Sequence, residues 1–407
     1  MRELSLDNPV HTCDPASDTF VEATVLREFG HVVPVVLFGG VPTWITASAE
    51  ASRLIMDLNP DISRDSANWA ALRRGEVPDT WPMLSLVTGR NLANTDGADH
   101  MRLRRLVTHA FTNKRIAAVV PRLNEIADEL LDTLADHHDP IDLKASYAYP
   151  LPMRMLCEFF GITDEDERGE LTRVYGILFD AGAADEERTR AGTDLEDALT
   201  RHIADKRAHP DDRLTSTLIR VRDEDGDRLT ERELTDTLQV IFAAGNETTV
   251  NAIANDVVGL LTHPDQLALL RDGTHPWSAT VDAGLHWNAP LKCVYMRYAL
   301  RDTDVCGTVV RAGEPIATMI AGAHRNGGIV DEPERFDITR TYRGHVGFGA
   351  GPHFCVGAPL ARQEIAIGLE RLFTRFPALR LAVTPDRLTK IVSPAINGLV
   401  DLPVVLT

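Results

Sequence analysis

Apolar residues recur at helical spacing along much of the chain. Leu123, Ile126, Ala127, Leu130, Leu131 and Leu134 fall three and four residues apart, which predicts an amphipathic helix. Leu360 to Glu370 carries the same periodicity, and so does Leu171 to Phe179, which Gly182 and an acidic stretch then interrupt. Thr230 and Glu233 fit a reciprocal capping box, so the helix they open, about residues 231 to 262, should be the longest. Period-two runs are fewer. Val32 to Phe38 and Thr43 to Thr46, split by Gly39-Gly40, predict a hairpin, and Val294 to Ala299 predicts another strand. Between hairpin and helices lies a stretch rich in Gly, Pro and Asp that still carries Trp69, Trp81, Pro82 and Met83. Such aromatics either cap a ligand cavity or anchor the loop to the core, and the sequence leaves both open.

Composition narrows the class. With 407 residues, 44% hydrophobic and 25% charged, the chain is an ordinary globular protein of one large domain or two to three average ones. A net charge of -18 excludes general binding to nucleic acid or anionic membranes, which need a basic surface. The five cysteines lie apart without Cys-x-x-Cys spacing, which indicates neither a disulfide framework nor zinc and suits a reducing cytosol. Met1 to Pro9 lacks a continuous apolar run, so a cytoplasmic protein is expected.

The chemistry concentrates in Phe348-Gly349-Ala350-Gly351-Pro352-His353-Phe354-Cys355-Val356-Gly357. Glycines let this loop turn sharply and approach a flat partner closely. Cys355 comes just ahead of the predicted Leu360 helix, whose positive end favours a thiolate. A lone cysteine would be read as an ordinary buried thiol. With Phe348, Gly351 and Gly357 in place, the run resembles the haem-binding loop of the cytochrome P450 superfamily, in its soluble actinobacterial-type members. The resemblance implies that Cys355 ligates the iron of haem b, iron-protoporphyrin IX, with Phe348, Gly349 and Gly357 shaping the loop. It also implies a mostly α, triangular-prism fold with a small β region, residues 1–407 forming a single haem-thiolate domain. Thiolate ligation promotes O–O cleavage.

Further residues match by position. His100 and Arg104, four apart on a basic helix, resemble the family's His-x-x-x-Arg pair for a haem propionate; alone they would read as a solvated face. Arg297 and His353 stand where the family has further propionate partners. Within Ala243-Ala244-Gly245-Asn246-Glu247-Thr248-Thr249, Glu247 and Thr248 match the acid-alcohol pair that relays protons during dioxygen activation. The region around residues 170 to 195 corresponds to the mobile lid, and His324 to Asp337 to the irregular meander before the cysteine loop.

One family feature is missing. Alignment puts Ala283 and His286 where the buried Glu-x-x-Arg pair belongs, leaving Arg335 to turn to Asp282, to a nearby carboxylate or to solvent. Joint loss of both partners can be nearly neutral, so restoring Glu and Arg together is expected to keep or raise the melting temperature.

The implied activity is oxidation of a small apolar or aromatic natural product, by hydroxylation or radical coupling, with a tryptophan-containing cyclic dipeptide as one candidate. Ferredoxin and ferredoxin reductase would supply electrons, docking on Arg102, Arg105, Lys114, Arg115 and Arg362. Substrate-lining candidates by family position are Trp69, Trp81, Met83, Phe179, Ala243, Leu291, Val294 and Ile396. Two alternatives stay open: a peroxide-driven peroxygenase, and a catalytically silent haem-binding scaffold.

Overall fold

A computed structural model of the chain describes all residues except 1–3, 58–59, 82, 138–139, 180–182, 222–225, 227, 326–330 and 343, and except the side chains of Ser85, Asp185, Val294 and Tyr295. Pro82 and Gly182, named above, and residues 326–330 within the His324 to Asp337 stretch therefore lie outside the described residues. The chain forms two compact units from discontinuous stretches. The first comprises Met1–Gly97, Asn255–Cys355 and Thr389–Val400; the second comprises Ala98–Ala254, Val356–Leu388 and Asp401–Thr407.

In the first unit the expected hairpin is present. Val32–Leu37 pairs antiparallel with Val41–Thr46, and the turn between them places Gly39 and Gly40 at φ 87 and 84, where a side chain would be strained. A six-stranded sheet grows around it in the order His11–Thr12, Val32–Leu37, Val41–Thr46, Pro315–Met319, Cys293–Ala299, Ile62–Ser63. The Cys293–Ala299 strand slips register between Val294 and Arg297, a bulge that re-aims the side chains beyond it. The sheet buries Val33, Val35, Ile45, Met296 and Tyr298 in one apolar cluster with Trp69, Trp81 and Met83.

The second unit is helical. Asn113–Leu134 buries the predicted stripe from Leu123 to Leu134 and packs on Ala358–Arg375, the helix that follows the cysteine loop. Tyr147 ties the next segment to that helix by donating to the Gly368 carbonyl at 2.8 Å. The longest helix is Glu231–Thr262, with the bounds the capping box predicts. Thr230 N donates to Glu233 Oε2 at 2.8 Å, and Glu233 N donates to Thr230 Oγ1 at 3.2 Å. The lid region folds as Glu165–Phe179 and Asp185–Ala208. Among the described residues, no helix is long and apolar enough to cross a membrane.

Candidate active site

The cysteine loop is a backbone-bonded turn. Cys355 N donates to Phe348 O at 2.9 Å, Gly349 N to Val346 O at 2.9 Å and Phe354 N to Gly351 O at 3.0 Å. Gly349 and Gly351 take φ values of 76 and 64. At Gly351 even a methyl is excluded, because a Cβ would sit 2.5 Å from the Met56 carbonyl oxygen. This close seating fixes the path of the chain into Cys355, and Ala358–Arg375 begins three residues later. The other cysteines are held as thiols: burial pushes Cys157 and Cys293 up to about 12, Cys13 goes higher still, and burial also raises Cys306.

The first unit also buries cationic groups. Arg297, just past the strand bulge, is 4% exposed and donates to Thr318 Oγ1 at 3.3 Å. His353 Nε2 lies 3.2 Å from Asp96 Oδ1. Burial alone would raise the Asp96 pKa, but hydrogen bonds from His353, the Arg64 backbone and Ser63 hold it well below the usual carboxylate range. Asp96 and the buried Arg64 were not legible in sequence; Asp96 has only its proximity to the basic helix at His100 as a signal, and Arg64 has none.

The second unit carries His100, buried, and Arg104, partly exposed, on the helix Gly97–Thr108. The small-residue stretch of the long helix lies here too. A Cβ on Gly245 would press to 3.1 Å from Leu156 Cδ2. Glu247 is buried, and its Oε1 accepts from Asn251 Nδ2 at 2.7 Å; Thr248 Oγ1 donates to the Ala244 carbonyl at 2.5 Å. Acid and alcohol are thus adjacent on one helix, each already oriented by a neighbour four residues away. Arg102 is committed to Glu233, the capping-box acid, which withdraws it from the expected docking patch.

The substrate candidates fall into groups. Trp69 stacks on Tyr298 with centroids 5.6 Å apart and meets Trp81 edge-on at 5.7 Å, while Trp81 Nε1 donates to Phe38 O at 2.8 Å. Anchoring of the loop to the core requires this packing, and Met83 shares it. Leu291 and Ile396 meet across an antiparallel bridge. Phe179 is 39% exposed, stacked on Tyr175 at 6.3 Å, and Ala243 is partly buried. The Val294 side chain lies outside the described residues.

At the missing ion pair the structure substitutes neutral rings. His286 sits between His324 at 5.1 Å and Tyr342 at 4.7 Å, and Ala283 beside it is fully buried. Asp282 pairs with His345 at 2.9 Å, so Arg335 takes the second of its three expected routes, a nearby carboxylate: its Nη2 lies 2.5 Å from Asp265 Oδ2.

One thiol at the end of a glycine-seated turn, with Arg297 and His353 in the same unit, is a donor set that fits a thiolate-ligated iron porphyrin bearing carboxylates. Comparison with known proteins agrees. The family model Cytochrome P450 matches residues 289–398. The chain is 35% identical to 2-hydroxy-5-methyl-1-naphthoate 7-hydroxylase of Streptomyces carzinostaticus, over 96% of each chain. It is 36% identical to cytochrome P450 monooxygenase PikC of Streptomyces venezuelae, over 96% of this chain and 92% of that one. The structure of CYP154C4 from Streptomyces sp. ATCC 11861 superposes with a TM-score of 0.92 at 36% identity, covering 98% of both chains.

Proposed function

Because the chain belongs to the cytochrome P450 family, we propose that it is a monooxygenase that hydroxylates, or couples by a radical route, a small apolar or aromatic natural product with electrons from a ferredoxin. The observation that carries this reading is the Cys355 turn, seated by Gly351 against the Met56 carbonyl. In it Cys355 ligates iron, Phe348, Gly349 and Gly357 shape the loop, and His100, Arg104, Arg297 and His353 hold the porphyrin carboxylates. Bound haem supplies the reductive activation of dioxygen. Glu247 and Thr248 hold and pass the protons that this chemistry consumes, which favours a dioxygen-driven enzyme over a peroxygenase or a silent scaffold. Residues 1–407 act as one catalytic domain.

Phe179, Ala243, Leu291 and Ile396, with Val294 by family position, line the substrate space, and Trp69, Trp81 and Met83 support it from the core. The relative named as a naphthoate hydroxylase supports an aromatic substrate. A tryptophan-containing cyclic dipeptide is the finer candidate. The test begins with the reduced, carbon-monoxide difference spectrum, which should show the thiolate band and lose it in Cys355→Ser. A panel of naphthoates, macrolides and cyclic dipeptides is then scored for the low-spin to high-spin shift. Turnover is compared with a ferredoxin system, hydrogen peroxide and no electron source. Product with peroxide alone, or none with any source, would replace this reading with one of its rivals.

A further inference from the structure

The first unit gathers three further groups at the edge of its six-stranded sheet. The edge strand His11–Thr12 is two residues long, and its neighbours extend the pairing: Val10 N donates to Pro34 O at 2.9 Å and Cys13 N to Val36 O at 2.8 Å. His11 and Cys13, two apart on extended chain, therefore present their side chains on one face. Asp18 caps the helix that follows, Thr19–Arg27, by accepting from Phe20 N at 2.8 Å and Val21 N at 3.1 Å. That entry brings Glu22, in the first turn, back to the strand.

His11 Nε2 lies 3.0 Å from Glu22 Oε1, the Cys13 thiol donates to the same carboxylate, and ligand atoms of all three lie within 4.8 Å of one another. Asp14 N also donates to Glu22 Oε1, at 3.3 Å, so the backbone orients the carboxylate. Zinc bonds of about 2.0–2.3 Å set tetrahedral ligand atoms roughly 3.3–3.7 Å apart, so side-chain shifts of about 1 Å complete the geometry. Sulfur and imidazole select against calcium and magnesium, which prefer oxygen. A neutral imidazole, a thiolate and a carboxylate together cancel the two charges of the ion. Cys13 and Glu22 line a cleft with Lys292 and Cys293. The Lys292 ammonium donates to Pro15 O at 2.8 Å, and Asp14 and Asp18 offset its charge alongside Glu22. No Cys-x-x-Cys spacing announces such a set, because its members come from a strand and a helix.

We propose that His11, Cys13 and Glu22 form a zinc site that staples the edge strand to the first helix, with water from the cleft in the fourth position. As the zinc–sulfur bond forms, the Cys13 proton leaves to solvent; nothing is oxidised or reduced. Without the ion, burial and then Glu22 keep that thiol protonated, and a coordinating dication displaces the proton. Cys293 stays a thiol on the cleft wall. The staple is independent of the haem chemistry, so its failure leaves the proposed function standing.

The test uses haem-loaded protein, in which iron counts the chains. After treatment with EDTA it is dialysed against chelator-buffered zinc. Metal analysis should find one zinc per iron, and zinc-edge X-ray absorption should show a single sulfur at about 2.3 Å with nitrogen and oxygen at about 2.0–2.1 Å. Cys13→Ser, His11→Ala and Glu22→Gln should each weaken binding about tenfold or more, and Cys293→Ser should not. The melting temperature should be higher in zinc than in EDTA, with the difference gone in Cys13→Ser. Should Cys13→Ser fail to fold, Glu22→Gln carries the same comparison. His31, Glu50 and Cys306 form a second set of these residue types, with its histidine and glutamate exposed, and Cys306→Ser is the control. Zinc that survives Cys13→Ser and Glu22→Gln but not Cys306→Ser overturns the staple. Less than stoichiometric zinc, or a spectrum without sulfur, overturns it too and leaves an adventitious ion only.

Discussion

The rings of His286 and Tyr342 lie 4.7 Å apart, centroid to centroid, inside a buried aromatic cluster where the family's ion pair is missing. Neither His286 nitrogen has a partner within the protein. Burial first, then the charges of His345, Arg340 and Arg325, push its pKa down to about 4 from the ordinary 6.5. The folded value is below the unfolded one, so the unfolded chain takes up a proton that the folded chain refuses. Above pH 6.5 this group leaves stability unchanged; as pH falls toward 4 stability is lost, by up to about 3 kcal/mol. Urea unfolding at pH 7.5 and 5.0 should therefore show His286→Phe losing about 2 kcal/mol less than the wild type on acidification. Equal losses in the two proteins would mean that the cluster does not set the acid limit.

The double replacement Ala283→Glu with His286→Arg now carries the opposite expectation from the one that sequence alone suggested. Ala283 is fully buried, and Arg335, the charge that the restored pair would need, is already held by Asp265. The added side-chain volume and the unpaired charge should cost about 2–4 kcal/mol. A melting temperature equal to or above that of the wild type would show that the pocket still accepts the ion pair.

Gly351→Ala should separate seating of the cysteine loop from simple backbone strain. Its Cβ would meet the Met56 carbonyl at 2.5 Å and the Asp57 Cα at 2.8 Å, with φ at 64. Gly40→Ala, at φ 84 with nothing within 4 Å, adds the strain without the collision. Haem content per chain should fall by more than about half in Gly351→Ala and stay at the wild-type level in Gly40→Ala, which loses only about 1 kcal/mol of stability.

Charge reversal on the basic helix should divide two roles. Arg102 is bonded to Glu233, and Glu233 also caps the long helix, so Arg102→Glu should lower stability by about 1 kcal/mol whatever it does to electron transfer. Arg105 and Lys114 are exposed. Reversing either should slow reduction by ferredoxin several-fold at low salt, with the melting temperature unmoved and the difference fading at high ionic strength. Salt-independent rates in both variants would place the docking surface elsewhere.

Local rules carried the sequence reading far. The capping box at Thr230 and Glu233 set the long helix to its observed bounds, and Gly39-Gly40 marked the hairpin, because in each case the governing contacts lie within a few residues. The thiol turn was legible for the same reason. What escaped was long-range pairing. Arg335 and Asp265 are 70 residues apart, and nothing in either neighbourhood announces the contact. The aromatic residues of the loop were ambiguous because burial against a core and burial against a ligand select the same side chains; only the stacking of Trp69 on Tyr298 shows which contact is made in this fold. Asp256 and Gly284 are a similar case: a Cβ at Gly284 would lie 1.8 Å from the Asp256 carboxylate, a constraint no sequence window contains.

Thiols with pKa values near 12 have about one molecule in a hundred thousand ionised at neutral pH, and Cys157 and Cys293 are in that state. Oxidation of a cysteine proceeds through its thiolate. Peroxide should therefore attack Cys157 and Cys293 slowly, and thiol titration of the unfolded chain after storage in air should recover both.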